Sequence, residues 1–263
     1  MIIDIHNHYW YEKDFIKKLI KCMDEANIDK VCLNGMGIKG LEITKSPEVY
    51  NANEDVKKAF KEYPDRIIGF GWIRLGIDKY DIIDKLYEEE FKGIKISIPT
   101  NRYDYDNFMP YYERAEKYDM PILFHTGVIA ATMNDRELGT HSAYMRPVYL
   151  DRIARKFPRL KIIAAHMGDP WYLEAYMTSQ KNPNMWLDFS GLAIFTKAYY
   201  IRKFLWIRVT PDKLLWGLDE PPEKYLRLLL TWRTLIEEIG IKKEEDIKGI
   251  FGENARKILN IRE

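Results

Sequence analysis

The sequence alternates between short apolar runs and longer amphipathic segments, and this alternation limits the fold more than any other feature. Eight runs rich in Ile, Val, Leu and aromatic residues lie at about 1–8, 28–34, 66–72, 93–98, 121–125, 161–166, 184–190 and 213–219. Segments with helical spacing and mixed charge lie between them, at 11–26, 48–62, 79–90, 107–118, 144–157, 170–181 and 221–238. Strands that alternate with helices indicate βαβ units and a parallel sheet.

The number of strands favours a closed barrel over an open sheet. A chain of 263 residues fits one (β/α)8 barrel, which takes roughly 250 residues. An open doubly wound sheet commonly carries a G-x-G-x-x-G loop after a strand, and none follows any of these runs. No low-complexity tract or Gly/Ser linker divides the chain. We therefore predict an α/β fold with a single TIM-type barrel domain over residues 1–263.

The charge balance argues against a polyanionic partner. The chain has 41 basic and 40 acidic side chains, so its overall field favours neither nucleic acid nor an anionic membrane. It opens without the basic and apolar regions of a secretory signal, and no apolar run reaches bilayer length. We expect a cytoplasmic protein that acts on a small molecule, without nucleic-acid or membrane partners; a homodimer stays open.

Four of the five histidines end predicted strands: His6, His8, His125 and His166. The carboxyl ends of the strands form the active-site face of such a barrel. His6 and His8 are two residues apart, so strand alternation turns both toward the barrel mouth. Imidazole nitrogens suit zinc, manganese or iron, and His125 and Asp219 could complete a set of four ligands. We predict one divalent ion, with zinc favoured; the alternative is a buried histidine pair bonded to carbonyls.

The remaining polar strand ends suggest catalytic roles. Because four ligands are already present, His166 is assigned an acid-base or electrophilic role. Asp219 could bind the metal and also accept the proton of a metal-activated water. Its alternative role is a helix cap ahead of Pro221.

Lys95 and Trp171 are the predicted substrate-binding residues. Alternation places Lys95 and Ser97 on one face of the fourth strand, so the ammonium enters the barrel. It could pair with Asp4, hold a substrate carboxylate, or form a carbamate that bridges two metals; the first two are ranked above the third. Other candidates near the mouth are Arg74, Arg102, Arg136 and Arg146, and the aromatic Tyr9, Trp10, Tyr103 and Tyr105, which suggest a cyclic or planar substrate.

At these residues the sequence resembles the amidohydrolase superfamily, in particular the branch of aminocarboxymuconate-semialdehyde decarboxylase, resorcylate-type decarboxylases and dicarboxylate lactonases. The resemblance runs along the whole chain through Asp4-Ile-His-Asn-His8, Lys92-Gly-Ile-Lys95, Phe124-His-Thr-Gly127, Ala165-His-Met-Gly168, Asn184-Met-Trp-Leu-Asp188, Leu215-Trp-Gly-Leu-Asp219 and Gly252-Glu-Asn-Ala-Arg256. It implies a (β/α)8 barrel with one divalent metal on His6, His8, His125 and Asp219, and His166 assisting nearby. The sequence departs from the pattern at Leu218, where a serine is frequent, and at Ser97, where many relatives have a histidine.

The predicted function is hydrolysis of an ester, lactone or amide of a small organic acid by a metal-activated water. The alternative is non-oxidative decarboxylation of a small aromatic or unsaturated carboxylic acid, for which the same five residues serve. A TatD-like or PHP-type phosphodiesterase is a minor alternative, because the fourth strand offers Lys95 where those sites need a glutamate. A metal-free binding protein is disfavoured, because every expected ligand is present.

Overall fold

The computed structural model describes residues 1–40, 48–129 and 139–261, and its centre is a parallel sheet. In chain order the strands are β1 (Ile3–Trp10), β2 (Lys30–Lys39), β3 (Glu48–Asn51), β4 (Ile67–Ile73), β5 (Gly93–Ile96), β6 (Ile122–Phe124), β7 (Ile162–Ala164), β8 (Met185–Asp188) and β9 (Leu214–Leu215). The parallel order is β1-β2-β4-β5-β6-β7-β8-β9. The predicted eight strands are thus present, and each pairs with the next.

Backbone contacts between the last strand and the first bring the sheet round to a nearly closed barrel. The Ile5 N–H donates to the Trp216 carbonyl at 3.2 Å, and the Asp219 N–H donates to the His6 carbonyl at 2.8 Å. These two bonds bring the predicted metal ligands of the first and last strands to one place. The barrel prediction is confirmed.

The helices lie between the strands. They are α1 (Phe15–Glu25), α2 (Asn53–Glu62), α3 (Ile82–Glu88), α4 (Met109–Lys117), α5 (Leu150–Lys156), α6 (Tyr172–Lys181), α7 (Ile194–Phe204), α8 (Tyr225–Ile239), α9 (Glu244–Lys248) and α10 (Asn254–Ile258). The longest, α8, ends at Gly240, whose φ of 109° is the left-handed conformation that glycine adopts without steric cost. None of the helices in the described ranges is long and apolar enough to cross a bilayer.

The prediction of one helix over 48–62 is wrong for its first residues. Residues 48–51 form β3, which pairs antiparallel with the end of β2. The helix begins only at Asn53, whose N–H donates to the Asn51 side chain at 2.9 Å. The Asn53 amide then accepts from the Trp72 N–H and donates to the Trp72 carbonyl. This tertiary contact with β4 determines where α2 begins, which the periodicity of apolar residues in the sequence could not predict.

Apolar side chains form separate layers inside and outside the barrel. The barrel interior is filled by Cys32, Phe70, Leu123, Ile163 and Leu215, all fully buried. The larger cluster lies between the strands and the helices. Each such side chain contributes roughly 1.5–3 kcal/mol through burial. Above the interior layer, at the carboxyl ends of the strands, the inward side chains become polar.

Candidate active site

Three side chains from the first and last strands converge at the barrel mouth. The Nε2 atoms of His6 and His8 are 3.2 Å apart. Asp219 Oδ1 lies 2.9 Å from His8 Nε2 and 3.5 Å from His6 Nε2. The two imidazoles are buried, whereas the Asp219 side chain is 19 % exposed to solvent. Three ligand-capable atoms therefore meet at one point that remains open toward solvent.

Hydrogen bonds behind the two rings orient their ligand atoms toward that point. His6 Nδ1 lies 2.7 Å from Asp188 Oδ2, and His8 Nδ1 lies 2.8 Å from the Met36 carbonyl. Because both partners are acceptors, Nδ1 of each ring carries the proton. Nε2 of each ring is then left with a free lone pair. The Ser190 hydroxyl donates to the same Asp188 oxygen at 2.8 Å, and the Ser190 N–H donates to Asp188 Oδ1 at 2.6 Å.

The other two strand-end histidines lie side by side. His166 Nε2 is 3.2 Å from His125 Nδ1, and the second His125 nitrogen is 3.4 Å from the Val128 carbonyl. His166 Nδ1 is 3.7 Å from Asp219 Oδ2. One ligand-capable atom from each of His6, His166 and Asp219 lies within 4.8 Å of the others. The structure thus brings His166 closer to the converging ligands than the sequence predicted, and His125 reaches them through His166.

Unusual backbone conformations aim two of these side chains. His166 belongs to a short 3-10 turn after β7, with φ 59°, so it lies beyond the strand that it was predicted to end. Asp219 has φ 50°. Non-glycine residues with positive φ cost about 1–3 kcal/mol and cluster at functional sites. A Cβ on Gly191 would lie 3.1 Å from Asp219 Oδ2 and 3.5 Å from His166 Nδ1, so glycine is needed beside them.

Burial lowers the pKa of three of the histidines, while the imidazoles around Asp219 keep its carboxylate ionised. Burial, and after it the Lys95 ammonium, lowers the pKa of His6 and lowers that of His125 to about 3. Burial also holds the pKa of His166 well below its usual range. Burial alone would raise the pKa of Asp219, but the surrounding imidazoles outweigh it and hold the pKa well below the usual range. The site therefore offers neutral nitrogen lone pairs and a carboxylate.

Lys95 enters the barrel as predicted, but its partner is His6. Lys95 Nζ lies 2.8 Å from His6 Nε2, and the side chain is fully buried. Burial lowers the pKa of Lys95 to about 8 although Asp219 and Asp188 oppose the shift. The alternative pairing with Asp4 is wrong, because Asp4 accepts the Tyr225 hydroxyl at 2.6 Å and two backbone N–H groups instead.

A second buried lysine, which the sequence interpretation missed, supports the loop after β8. Lys197 on α7 donates to the Ser190 carbonyl at 2.5 Å and to the Leu192 carbonyl at 2.6 Å. Only 1 % of its surface is exposed. The ammonium therefore fixes the loop that carries Ser190 and Gly191 against the site. In the sequence, Lys197 looks like an ordinary solvated lysine of an amphipathic helix.

Other residues predicted near the barrel mouth contact charged or aromatic neighbours of their own. Trp171 stands at the start of α6 and lines a groove of about 620 Å³ between α6 and α7, with the Arg146 guanidinium 5.4 Å from its ring centre. Arg146 pairs with Glu174, and Arg102 pairs with Asp104 at 2.8 Å. Arg136 lies outside the described residues.

The donor set itself tests whether a divalent metal fits. His6 Nε2, His8 Nε2 and Asp219 Oδ1 lie 2.9–3.5 Å from one another, and imidazole nitrogens with a carboxylate oxygen are a donor set that suits a divalent cation. The protonated Nδ1 of each histidine is already bonded to a carboxylate or carbonyl, the arrangement that orients metal-binding histidines. The residues therefore fit a divalent metal, which His6, His8 and Asp219 would hold, and Lys95 would then lose its 2.8 Å contact with His6 Nε2.

Comparisons with known proteins agree with this fold. A computed sequence model of the amidohydrolase family matches residues 3–261. Similar solved structures include 5-carboxyvanillate decarboxylase from Sphingomonas paucimobilis, with a TM-score of 0.66, 14 % identity and 99 % of both chains covered. They also include a probable 2-pyrone-4,6-dicarboxylic acid hydrolase from Acinetobacter baumannii, with a TM-score of 0.63, 16 % identity and 99 % of both chains covered. At such identities the likeness shows the fold alone.

A third solved structure carries a metal. It is a dihydroxybenzoic acid decarboxylase from Polaromonas sp. JS666 with bound manganese and the inhibitor 2-nitroresorcinol, with a TM-score of 0.65 and 18 % identity over 99 % of this chain and 97 % of that one. No curated protein sequence matches significantly. The match to the sequence model shows that the chain belongs to the amidohydrolase family, whose members are metal-dependent hydrolases and decarboxylases. The chain is an enzyme of that class.

Proposed function

We propose that the protein is a hydrolase that cleaves an ester or lactone of a small organic acid with a metal-activated water, with amides as further substrates. The observation that carries this proposal is the convergence of His6 Nε2, His8 Nε2 and Asp219 Oδ1, while Asp219 Oδ2 remains directed toward His166. One divalent ion, zinc by preference, would lower the pKa of a water ligand and polarise the substrate carbonyl.

The protein residues supply the proton transfers. The low pKa of Asp219 keeps its outer oxygen available to accept the proton of the attacking water. A neutral histidine beside it can receive that proton and deliver it to the leaving oxygen. Two roles remain for His125 and His166: the fourth metal ligand and the proton carrier. The family resemblance favours His125 as the ligand, whereas the proximity of His166 to Asp219 favours His166 as the ligand.

A decarboxylase is the second candidate, and it is supported by two of the three solved structures described above, which are named as decarboxylases. In that reaction the metal would anchor a carboxylate or enol oxygen, and His166 or Asp219 would donate a proton to carbon as carbon dioxide leaves. The two reactions differ in their products, so they can be distinguished directly.

The test is metal content by elemental mass spectrometry followed by a substrate panel. We expect about one ion per chain, lost in the His6→Ala/His8→Ala double variant. His125→Ala and His166→Ala show which histidine is the ligand. The variant that lacks the ligand should lose metal, and the variant that lacks the proton carrier should lose turnover. Zinc- or manganese-loaded enzyme is then assayed on lactones and esters for acid release and on aromatic carboxylates for carbon dioxide. No metal after reconstitution, or no release from either class, would refute the proposal.

A further inference from the structure

Three neighbouring helices expose apolar side chains at matching positions. The second residue of each of α6, α7 and α8 is a large apolar residue in contact with solvent, and so is the residue four positions later, one turn along the same face. The helices are adjacent, because α7 packs against α8 and the Tyr172 ring of α6 stacks on the Tyr200 ring of α7. These six residues, which we call the apolar band, are Leu173, Met177, Phe195, Tyr199, Leu226 and Leu230.

The apolar band lies at the end of the helices nearest the barrel mouth. Each of the three helices follows the carboxyl end of a strand, so its first two turns lie beside the mouth. One turn farther from the mouth, the corresponding positions on the three helices are polar and exposed, namely Lys181, Lys203 and Thr234. The exposed apolar surface is therefore concentrated in one area of these helices.

The area of this surface is that of a protein interface. Phe195 is 76 % exposed, and Leu192, just ahead of α7, is 74 % exposed. With Leu192 included, the apolar band leaves on the order of 800 Å² of side-chain surface in water, if a large apolar side chain covers on the order of 200 Å². The largest apolar patch of a monomer is usually about 300–600 Å², whereas one partner of a stable complex buries about 800 Å².

A groove of the same chemistry lies beside the most exposed part of the apolar band. The groove between α6 and α7, with a volume of about 620 Å³, is lined by the rings of Tyr172, Tyr200 and Phe204. Phe195 and Tyr199 form a ridge on α7 next to it, since they are one turn apart. A bilayer surface could cover the ridge but would leave the groove unfilled. A second copy related by a two-fold axis can fill both grooves, because each copy offers one ridge and one groove.

We infer that this surface is a two-fold interface with a second copy of the chain, in which the Phe195–Tyr199 ridge of each copy packs into the groove between α6 and α7 of the other. The interface reaches the loop that borders the candidate active site. Leu192 directly follows Gly191, which lies beside Asp219, and the Leu192 carbonyl already accepts the Lys197 ammonium at 2.6 Å. The second copy would cover Leu192 and restrict this loop, whichever reaction the site catalyses.

The first test is analytical ultracentrifugation of the untagged, metal-loaded full chain. The wild type should be a dimer at micromolar concentration. Phe195→Asp/Tyr199→Asp replaces two aromatic anchors with charges, so the dimer dissociation constant should rise about 100-fold or more. Both side chains are exposed, so the circular dichroism spectrum should not change. Ile77→Asp is the matched control, because Ile77 is as exposed as Tyr199 but follows β4, and it should leave the constant unchanged. A wild type that is monomeric at about 100 μM would overturn the inference.

The second test checks that the ridge packs into the groove of the other copy. Leu173→Glu/Met177→Glu places acids at the groove, and Phe195→Lys/Tyr199→Lys places bases on the ridge. Each variant alone should be monomeric, because both of its ridge–groove contacts are altered. An equimolar mixture should form a heterodimer, since one of its contacts is unaltered and the other pairs lysine with glutamate. Two variants that are monomeric alone and also when mixed would refute the ridge-in-groove arrangement.

The third test asks whether the interface reaches the active-site loop. Hydrogen exchange at residues 190–193 is measured for the wild type above and below its dimer dissociation constant, and for the Ile77→Asp control. The amides of this loop should exchange several-fold faster in the monomer. Equal rates in the two states would show that the second copy does not cover Leu192. Protein that stays monomeric and sediments with vesicles of phosphatidylserine and phosphatidylcholine would overturn the inference, because the apolar band would then bind membranes instead.

Discussion

Asp188→Asn tests whether the carboxylate behind His6 tunes the metal site. Asp188 Oδ2 lies 2.7 Å from His6 Nδ1, and both side chains are fully buried. Asparagine has the same size as aspartate but lacks its charge. The charge of Asp188 stabilises the proton on His6 Nδ1 and makes His6 Nε2 more basic, and the variant loses both effects. Losing a partner of this kind typically costs 10- to 100-fold in metal affinity, which is about 1.4–2.8 kcal/mol.

The assay is competition for zinc or manganese against a chromogenic chelator, with the melting temperature of the metal-free protein measured beside it. Asp4→Asn is the control, since Asp4 is equally buried in the same barrel but bonds to Tyr225 and backbone N–H groups. Burial already raises the pKa of Asp4 to about 7, so its neutral form is well populated at neutral pH and the amide resembles it. Equal metal affinities for the Asp188→Asn variant and the wild type would refute the reasoning.

Three further substitutions probe the site, and a fourth, Gly40→Ala, is a control. Lys95→Met should raise metal affinity about tenfold, because His6 Nε2 loses its 2.8 Å bond to an ammonium; loss of metal instead would indicate a carbamate ligand. Gly191→Ala and Gly40→Ala both place alanine at positive φ, 77° and 72°, and should cost about 1–3 kcal/mol of stability in urea unfolding. Only Gly191→Ala should reduce kcat, by about tenfold or more, since only its Cβ meets Asp219; equal activities would contradict this. Lys197→Met should lower the melting temperature and kcat but not metal content, and an unchanged melting temperature would show that the loop does not need it.

Much of the fold and the positions of the histidines could be predicted because both follow from periodicity. Apolar runs give the strands, strand ends give the barrel mouth, and alternation turns His6 and His8 to the same side. Such features need only the order of residues along the chain.

What could not be predicted depends on contacts across the barrel. Asp188 lies 182 residues from His6, and only the strand order brings them together. The inward alternation from Trp186 to Asp188 was an available signal, and it was missed. Left-handed φ at His166 has no signature in the sequence, because the turn is imposed by its surroundings. The aromatic residues predicted near the mouth have different surroundings: Tyr9 packs on Phe15, and the Tyr103 hydroxyl donates to the His125 carbonyl at 2.7 Å.

The charges at the mouth indicate what kind of substrate the site can hold. Lys95 and Lys197 lie among the carboxylates of Asp188 and Asp219, and burial lowers the pKa of His6, His125 and His166. A bound divalent ion would therefore add positive charge to a site whose imidazoles are buried, beside the Lys95 ammonium. Such a field favours an anion over a neutral ester of the same shape. We therefore expect turnover of esters and lactones that carry a free carboxylate to exceed that of their methyl esters, and the ratio of kcat/KM for such a pair measures this selectivity. Equal values for the two would mean that Lys95 and the bound ion do not act on the substrate's charge.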